Sequence, residues 1–313
     1  MTLDVAGLRQ HTRLVGKRID EGKVIPFLGA GANLCDRPAL TEWRPRGKFL
    51  PSGSELARYL AAEYEYPGVD QRDLVRVAQY VDLVTGGEGA LFEELRPLFT
   101  LTYEPNRLHR WLAGVPARQR ASDLPTRYQL IVTTNYDDVL ERAFADAGEA
   151  VDVVLYAAEP NEPGRFMHVR PDGDRCPLPR RNEYGGLDLE RRPVILKIHG
   201  AVDRREDAND NYVITEDHYI DYLAHGSIAK FMPAYLMARM RNSHFLFLGY
   251  AMRDWNLRVI LHYIWSQQAR RFGSWAIERD PDPMDEKFWQ RHRVEILEAR
   301  LEDWVDAMSQ PGS

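Results

Sequence analysis

The chain has 313 residues, and its 41 Lys and Arg against 47 Asp and Glu give a formal net charge of −6. Domains that coat nucleic acid are strongly basic, so we expect no direct nucleic-acid binding. Two cysteines, Cys35 and Cys176, are too few for a disulfide scaffold or a four-cysteine zinc site, and they predict a cytoplasmic protein without a metal. The sequence has neither an apolar leader nor an uncharged apolar run of about 18 residues, so we expect no signal peptide and no membrane helix.

Short apolar runs alternate with helical patterns through much of the chain. The runs that predict buried strands are Val24–Leu28, Leu130–Thr134, Val151–Leu155, Val194–Ile198, Phe245–Leu248 and Trp275–Ile277. The helical patterns are residues 3–21, Tyr136–Ala147, Pro233–Arg241 and Asn256–Gln268. Strands that are apolar on both faces and alternate with helices are typical of a parallel sheet. The sequence therefore predicts an α/β fold with a Rossmann-like, mostly parallel sheet flanked by helices.

The region between the first two predicted strands has a different character. Four helical patterns follow one another there, at residues 54–65, 70–84, 90–99 and 106–113. Ser52 or Ser54 is a suitable N-cap for the first of them. We therefore expect a helical subdomain at about 52–120, inserted into a Rossmann-like core of about 20–50 and 125–300.

Three segments lack a clear period. Residues 158–192 are rich in Pro, Gly and charge, which predicts a long loop or a small hairpin. Residues 203–211 are polar and predict a mobile loop. The Pro-rich stretch around 281–287 follows the last predicted strand, and we expect a solvated loop there.

The first predicted strand ends in Gly29-Ala30-Gly31, followed by Asn33. A glycine turn after a strand lets backbone N–H groups approach a phosphate, although a tight turn without any ligand explains the glycines equally well. A dinucleotide fingerprint for hydride transfer needs Gly or Ala at the sixth position, where this chain has Leu34. An ordinary dehydrogenase site is therefore disfavoured.

Polar residues or glycine also end three later strands. Asn135 and Asp137 follow the second predicted strand, His199 ends the strand at 194–198, and Gly249 ends the strand at 245–248. Ligands of open α/β sheets bind outside the carboxyl ends of strands, and a histidine there can exchange a proton near neutral pH. The alternatives remain open: Asn135 or Asp137 caps the next helix, His199 is structural, and Gly249 belongs to a plain turn.

The order of these strand ends resembles the sirtuin family, and most closely its bacterial sirtuin-like branch of NAD-consuming anti-phage effectors. The resemblance covers about residues 24–300 and suggests one sirtuin-like domain over 1–313. Its most specific parts are Thr-Thr-Asn-Tyr-Asp at 133–137 and Lys-Ile-His-Gly at 197–200.

The resemblance implies a role for each matching residue. Gly29, Ala30 and Gly31 would hold the pyrophosphate of NAD. Asn135 and Asp137 would line the pocket of the nicotinamide ribose. His199 would activate the attacking hydroxyl or water, and Gly249 would precede the residues that hold the adenosine ribose.

The chain also departs from the protein deacylases of this family. Asn33 replaces a serine and Thr134 a glutamine, and we still expect both to line the NAD site. No cysteine occurs between Ala201 and His244, where deacylases carry a zinc module. The sequence therefore predicts an NAD glycohydrolase that releases nicotinamide and ADP-ribose, with NAD as substrate and no metal. The alternatives are a sirtuin-like deacylase or ADP-ribosyl transferase, and a non-catalytic scaffold that binds NAD or ADP-ribose.

The resemblance further implies an anti-phage effector that depletes NAD. Such effectors act in assemblies, so we expect a homo-oligomer and a partner such as a ring-forming, DNA-translocating ATPase. We expect the helical insertion to supply the contact surface and, with the 203–211 loop, to gate the site.

Overall fold

The computed structural model of the chain describes residues 5–159, 162–178, 184–224, 232–252, 255–265 and 272–310. Nine of the strands in these residues form one sheet: β1 (Val24–Leu28), β2 (Leu130–Thr133), β3 (Asp152–Glu159), β4 (Glu162–Val169), β5 (Arg175–Pro177), β6 (Val194–Lys197), β9 (His244–Leu248), β10 (Ser274–Glu278) and β11 (Val294–Glu298). A small second sheet pairs β7 (Gly200–Ala201) with β8 (Asn211–Tyr212).

The described helices surround the large sheet and fill the region between β1 and β2. They are α1 (Val5–Asp20), α2 (Gly53–Glu63), α3 (Leu74–Thr85), α4 (Glu88–Phe99), α5 (Arg107–Ala113), α6 (Val115–Ala121), α7 (Val139–Asp146), α8 (Glu216–Ala224), α9 (Ala234–Arg241), α10 (Trp255–Trp265), α11 (Pro283–Arg291) and α12 (Leu301–Met308).

The strands of the large sheet lie in the order β11-β10-β9-β1-β2-β6-β3-β4-β5. Neighbours from β11 to β3 are parallel, and β4 and β5 add an antiparallel edge. After β1 the chain builds the sheet on the β2 side, and it later returns to the other side through β9. The direction of winding therefore reverses at β1, and the carboxyl end of such a strand is where open α/β sheets bind ligands.

Both faces of the sheet are buried, because each strand sends alternate side chains to opposite layers. Ile25 and Phe27 pack with the apolar residues of α8–α11, whereas Val24 and Leu28 pack with those of α1, α5–α7 and α12. The mostly parallel α/β fold predicted from the sequence is confirmed.

The helices between β1 and β2 fall into two groups. α5 and α6 pack on the sheet, while α2–α4 form a separate apolar cluster, called here the insertion core. Ser52 caps α2 in a capping box with Glu55, so the first of the two candidate caps is the one used. The insertion core also buries Val139, Val202 and Tyr212, which belong to segments that flank the ends of β2 and β6.

Residues 158–192 contribute β4 and β5, which pair antiparallel as in the small hairpin that was one of the two expectations for this segment. Residues 203–211 contain a 3-10 turn at Asp207–Asn209 before β8. Other segments differ from the sequence expectations. The solvated loop expected around 281–287 is wrong: Asp282 accepts hydrogen bonds from the backbone of Met284 and Asp285 and starts α11, with Pro283 at its first position. The elements that were missed are α6, α8, α12, β7, β8 and β11, and the predicted helix end at Gln268 lies outside the described residues.

Candidate functional site

The four strand ends singled out in the sequence lie side by side. Their strands are neighbours in the order β9-β1-β2-β6, although the chain visits them in the order β1, β2, β6, β9. Because these strands are parallel, their carboxyl ends share one edge of the sheet. The fold therefore brings Gly249, the glycine turn, the Asn135–Asp137 loop and His199 to one edge of the sheet, where open α/β sheets bind ligands in a crevice.

The glycine turn after β1 packs backbone to backbone against the end of β9. Gly29 and Gly31 donate N–H hydrogen bonds to the carbonyls of Leu248 and Gly249, at 3.1 and 2.8 Å. A Cβ at Gly31 would lie 2.6 Å from the carbonyl oxygen of Gly249, and a Cβ at Gly249 only 1.9 Å from the nitrogen of Ala32. Gly249 also has a φ of +66°, which favours glycine. Close packing alone therefore requires these glycines, independently of any phosphate they hold.

Asn33 and Asp137 are joined across 104 residues. Nδ2 of Asn33 donates a 2.8 Å hydrogen bond to Oδ2 of Asp137, while Oδ1 of Asp137 accepts from the backbone N–H of Val139 at 3.1 Å. Asp137 thus binds the backbone at the start of α7 and also binds the glycine turn, although the N-cap residue of α7 is Asp138 and neither Asn135 nor Asp137. Oδ1 of Asn33 is buried and has no hydrogen-bond partner among the described residues. It is an acceptor that a ligand hydroxyl can use.

Asn135 and Thr134 lie between these groups at the end of β2. The backbone N–H of Thr134 donates to the carbonyl of Leu28 at 3.1 Å, and that of Asn135 donates to Oγ1 of Thr133 at 3.0 Å. Both side chains are half-buried. The local backbone is therefore fixed, and both residues remain partly exposed at the carboxyl end of β2.

Lys197, the last residue of β6, holds the Asp137 loop through its side chain. The sequence analysis did not identify it. Its side chain is buried, and Nζ donates to the backbone carbonyl of Asp137 and to Oε1 of Glu141, the latter at 2.8 Å. Burial raises the pKa of Glu141, although Lys197 opposes the shift. A lysine in an otherwise apolar strand was the signal available, because a buried ammonium needs an ionic partner.

His199 is enclosed at the end of β6, with 3% of its surface exposed. Its Nδ1 lies 3.3 Å from the hydroxyl of Tyr219, and its Nε2 is buried without a hydrogen-bond partner in the described part of the chain. Tyr219 and Tyr222 both stand edge-on to the imidazole, with centroids 5.3 and 6.0 Å away. Burial lowers the pKa of His199 to about 3, so the ring is neutral at pH 7 and one nitrogen carries a lone pair.

Arg204 links the insertion core to both neighbouring loops. Its guanidinium donates to the carboxylate of Asp138 and to the carbonyls of Thr100 and Leu101 at the end of α4. Although burial raises the pKa of Asp138, Arg204 and Arg142 hold it below its usual value. The segment after His199, expected to be a mobile loop, is therefore tied to the insertion core by charge-assisted hydrogen bonds.

The residues that the structure describes include no metal cluster, and the cysteine beside the glycine turn is not a reactive thiol. No group of three or more His, Cys, Asp or Glu side chains is suitably placed to hold a metal ion within those residues. Cys35 is buried, and burial raises the pKa of its thiol to about 12, consistent with a small packing residue. Over the same described ranges, every helix is too short or too polar to span a membrane.

A family model described as a SIR2-like domain matches residues 129–297, which are 169 of the 313 residues. The match runs from the residue before β2 to the fourth residue of β11. It therefore contains the Asn135–Asp137 loop, His199 and Gly249, and it begins after the glycine turn.

Three named bacterial proteins are similar to most of the chain. NAD(+) hydrolase ThsA of Acinetobacter baumannii (strain 532279) is 28% identical over 248 residues, covering 79% of this chain and 40% of that protein. Defense-associated sirtuin 2 of Bacillus subtilis is 24% identical over 288 residues, covering 89% of this chain and 23% of that protein. NAD(+) hydrolase ThsA of Cytobacillus dafuensis is 23% identical over 248 residues, with coverages of 79% and 39%. The chain thus spans less than half the length of each relative.

Proposed function

Because this chain belongs to the SIR2-like domain family, we propose that it is an NAD glycohydrolase that converts NAD and water to nicotinamide and ADP-ribose. The observation that carries the proposal is a pair of buried polar atoms without a hydrogen-bond partner among the described residues, Oδ1 of Asn33 and Nε2 of His199, both at one edge of the sheet. A buried polar atom without a partner destabilises the folded protein unless a ligand forms a hydrogen bond to it. Two of the similar proteins are named NAD(+) hydrolases, which supports the same reaction.

The chemistry follows from the charge of the substrate. Nicotinamide leaves NAD as a neutral molecule from an anomeric carbon that passes through an oxocarbenium-like state, as in glycoside cleavage. The C–N bond breaks, a C–O bond to water forms, and one proton of that water is released. The protein must therefore hold the ribose, stabilise positive charge and accept a proton.

We assign these tasks to the residues of the crevice. Asn135 orients the ribose or the water, and Asp137, whose carboxylate is held by Asn33, stabilises the developing positive charge. His199 accepts the proton through its neutral imidazole. Thr134 and Asn33 line the same pocket.

The diphosphate and adenosine of NAD extend toward β9 in this proposal. Gly29, Ala30 and Gly31 face the pyrophosphate, and Gly249 precedes the contacts to the adenosine ribose. The N–H groups of Gly29 and Gly31 already donate to β9, so the glycines act by allowing close approach rather than by supplying those two donors.

Water is the acceptor that the geometry favours over an acylated lysine. A deacylase must admit a peptide side chain to the ribose beside its histidine, whereas His199 is 3% exposed and flanked by the rings of Tyr219 and Tyr222. This enclosure disfavours the deacylase and transferase alternatives. The neutral imidazole with a free nitrogen favours turnover over a purely binding scaffold.

The test is incubation of the purified chain with NAD, followed by chromatography of the products with and without an acylated peptide. We expect nicotinamide and ADP-ribose in equal amounts, unchanged by the peptide. Formation of O-acyl-ADP-ribose would support the deacylase alternative. Binding of NAD without products, in dilute and concentrated protein alike and with a neighbouring gene product added, would support the scaffold.

We further propose that this activity serves anti-phage defence and is low until the chain assembles. An unrestrained NAD hydrolase would drain the redox pool of the cell that makes it. A contact on the insertion core could change the site in such an assembly, because Arg204 connects the insertion core to the loops after β2 and β6. The test compares NAD turnover per chain when the protein is dilute, when it is concentrated, and when a neighbouring gene product is added. Full activity of a dilute monomer, unchanged by any addition, would refute this regulation.

A further inference from the structure

Tyr219 stands apart from the residues singled out in the sequence, yet its hydroxyl meets the histidine of the proposed site. Its hydroxyl lies 3.3 Å from Nδ1 of His199, while Nε2 on the other side of the ring has no partner among the described residues. A neutral imidazole carries one proton, on either nitrogen, and the contacts of the ring decide which. The identity of the group at Nδ1 therefore controls whether Nε2 can accept a proton.

The position of Tyr219 is fixed by the start of α8. Oγ1 of Thr215 accepts the backbone N–H of His218 at 3.1 Å, and the carbonyl of Thr215 accepts that of Tyr219 at 3.1 Å. Nδ1 of His218 in turn accepts the backbone N–H of Thr215 at 3.3 Å. Each of these two side chains thus accepts the backbone N–H of the other residue, as in a capping box. The carbonyl of His199 accepts the N–H of Val213 at 2.9 Å, which ties the strand end to the residues just before α8.

The same helix is docked on the insertion core. The Gln79 amide donates to Oδ2 of Asp217 at 2.9 Å, and its oxygen accepts the backbone N–H of Asp217 at 2.9 Å. Glu88 pairs with Nε2 of His218 at 3.0 Å. Tyr219 is thus held from two sides, by the turn that caps α8 and by the insertion core.

We propose that Tyr219 is a positioning residue that accepts the Nδ1 proton of His199 in a hydrogen bond and so keeps Nε2 as the proton acceptor. This inference rests on the proposed NAD hydrolysis. When Nε2 takes a proton from water, the water oxygen bonds to the anomeric carbon and nicotinamide leaves with the electron pair of the broken C–N bond. The Nδ1 proton stays in place, and its bond to Tyr219 becomes charge-assisted and stronger. His199 later returns the Nε2 proton to solvent.

The chain offers a matched control on the same helix. Tyr222 lies three residues after Tyr219, and its ring also stands edge-on to His199, with an interplanar angle of 86°. Tyr219→Phe and Tyr222→Phe each remove one hydroxyl group from a ring that flanks the histidine and leave the ring itself in place. A loss caused by packing alone would therefore affect both variants.

The experiment measures kcat and KM for NAD in the full chain and its variants, together with the tautomer of His199 by NMR of 15N-labelled histidine. His199→Ala identifies the His199 signals by their loss. We expect Tyr219→Phe to lower kcat about tenfold, the effect of one hydrogen bond to a charged group, with KM changed less than about twofold. Tyr222→Phe should change kcat less than about twofold. The wild-type ring should carry its proton on Nδ1, and Tyr219→Phe should populate the other tautomer.

Three results would overturn the proposal: wild-type kcat in Tyr219→Phe, equal losses in both variants, or an Nε2-protonated ring in the wild type. Failure of the proposed function looks different, because His199→Ala would then retain full turnover. If the chain shows no NAD turnover at all, the tautomer of the wild type and of Tyr219→Phe still decides the role of Tyr219.

Discussion

The amide of Asn33 and the carboxylate of Asp137 form a 2.8 Å hydrogen bond that joins the glycine turn after β1 to the loop after β2. The two residues lie 104 positions apart, and the whole insertion separates them in the chain. Their contact makes the two loops one unit: the group proposed to stabilise positive charge is oriented by the turn proposed to hold the diphosphate.

Asn33→Ala should weaken this unit without unfolding the protein. We expect a loss of about 1 kcal/mol in the free energy of unfolding and a roughly tenfold fall in NAD turnover, because the Asp137 carboxylate then keeps only its bond to Val139 among the described residues. Asn33→Asp should be worse than Asn33→Ala, since it sets two carboxylates face to face. Denaturant unfolding and steady-state kinetics measure both effects. Equal behaviour of the two variants would contradict the argument.

The catalytic assignment predicts a large effect at two positions. His199→Ala and Asn135→Ala should each lower NAD turnover by roughly 10²–10⁴-fold, the usual contribution of a general acid or base. Circular dichroism should show that both variants are folded. His262→Ala, which changes an exposed histidine on α10, is the control and should keep full turnover. If either folded site variant matched the wild type, its assignment would be wrong.

Lys197 should matter for stability as well as for activity. Lys197→Met leaves Glu141 beside an apolar side chain and removes the donor to the carbonyl of Asp137. We expect the free energy of unfolding to fall by about 2 kcal/mol. This is less than the full effect of breaking a buried ion pair, because 20% of the Glu141 side chain is exposed to solvent. Adding Glu141→Gln should recover part of this loss. A double-mutant cycle by denaturant unfolding checks the coupling, and simple additivity would show that the pair does not interact.

Buried histidines should make the fold sensitive to mild acid. Burial lowers the pKa of His11 and His109 from 6.5 to about 4 and that of His199 to about 3. Below pH 6.5 the unfolded chain therefore binds more protons than the folded chain. The free energy of unfolding keeps its full value above that pH and decreases as the pH falls toward 4. Each histidine should contribute on the order of 1–2 kcal/mol of this loss by pH 5.

Thermal unfolding between pH 7.5 and 5 measures this effect. Tm should fall with the pH, and His11→Phe should flatten the decrease while keeping an aromatic ring against Trp275. Parallel curves for the variant and the wild type would show that His11 is not buried in its neutral form.

The two cysteines should differ in reactivity. The Cys35 thiol, with its pKa raised to about 12, stays protonated at pH 8, whereas Cys176 is half-buried on the edge strand β5. Alkylation of the folded protein, followed by peptide mapping, should label Cys176 and spare Cys35, and NAD turnover should survive. Labelling of Cys35 before unfolding, or loss of turnover on its modification, would refute its packing role.

The sequence predicted six strands of the large sheet, namely β1, β2, β3, β6, β9 and β10, because their signal is local. The strand Val24–Leu28 was predicted to the residue, since five apolar residues are bounded by Lys23 and Gly29. β11 was missed because Glu295 and Glu298 interrupt its apolar pattern at the edge of the sheet. The helix α11 was mistaken for a loop because its first residues lie in a Pro-rich stretch, although proline suits the first helical position after an Asp cap.

The sequence by itself determined the chemistry that each strand end offers: glycines after β1, amide and carboxylate after β2, imidazole after β6, glycine after β9. The tertiary structure alone decided which of these groups meet. Local periodicity does not specify the order of strands in a sheet. The order β9-β1-β2-β6 is therefore known only from the assembled sheet, in which β1 lies between β9 and β2. The partners of Asp137 and His199, namely Lys197 and Tyr219, belong to other elements, and burial by those elements keeps the His199 imidazole neutral.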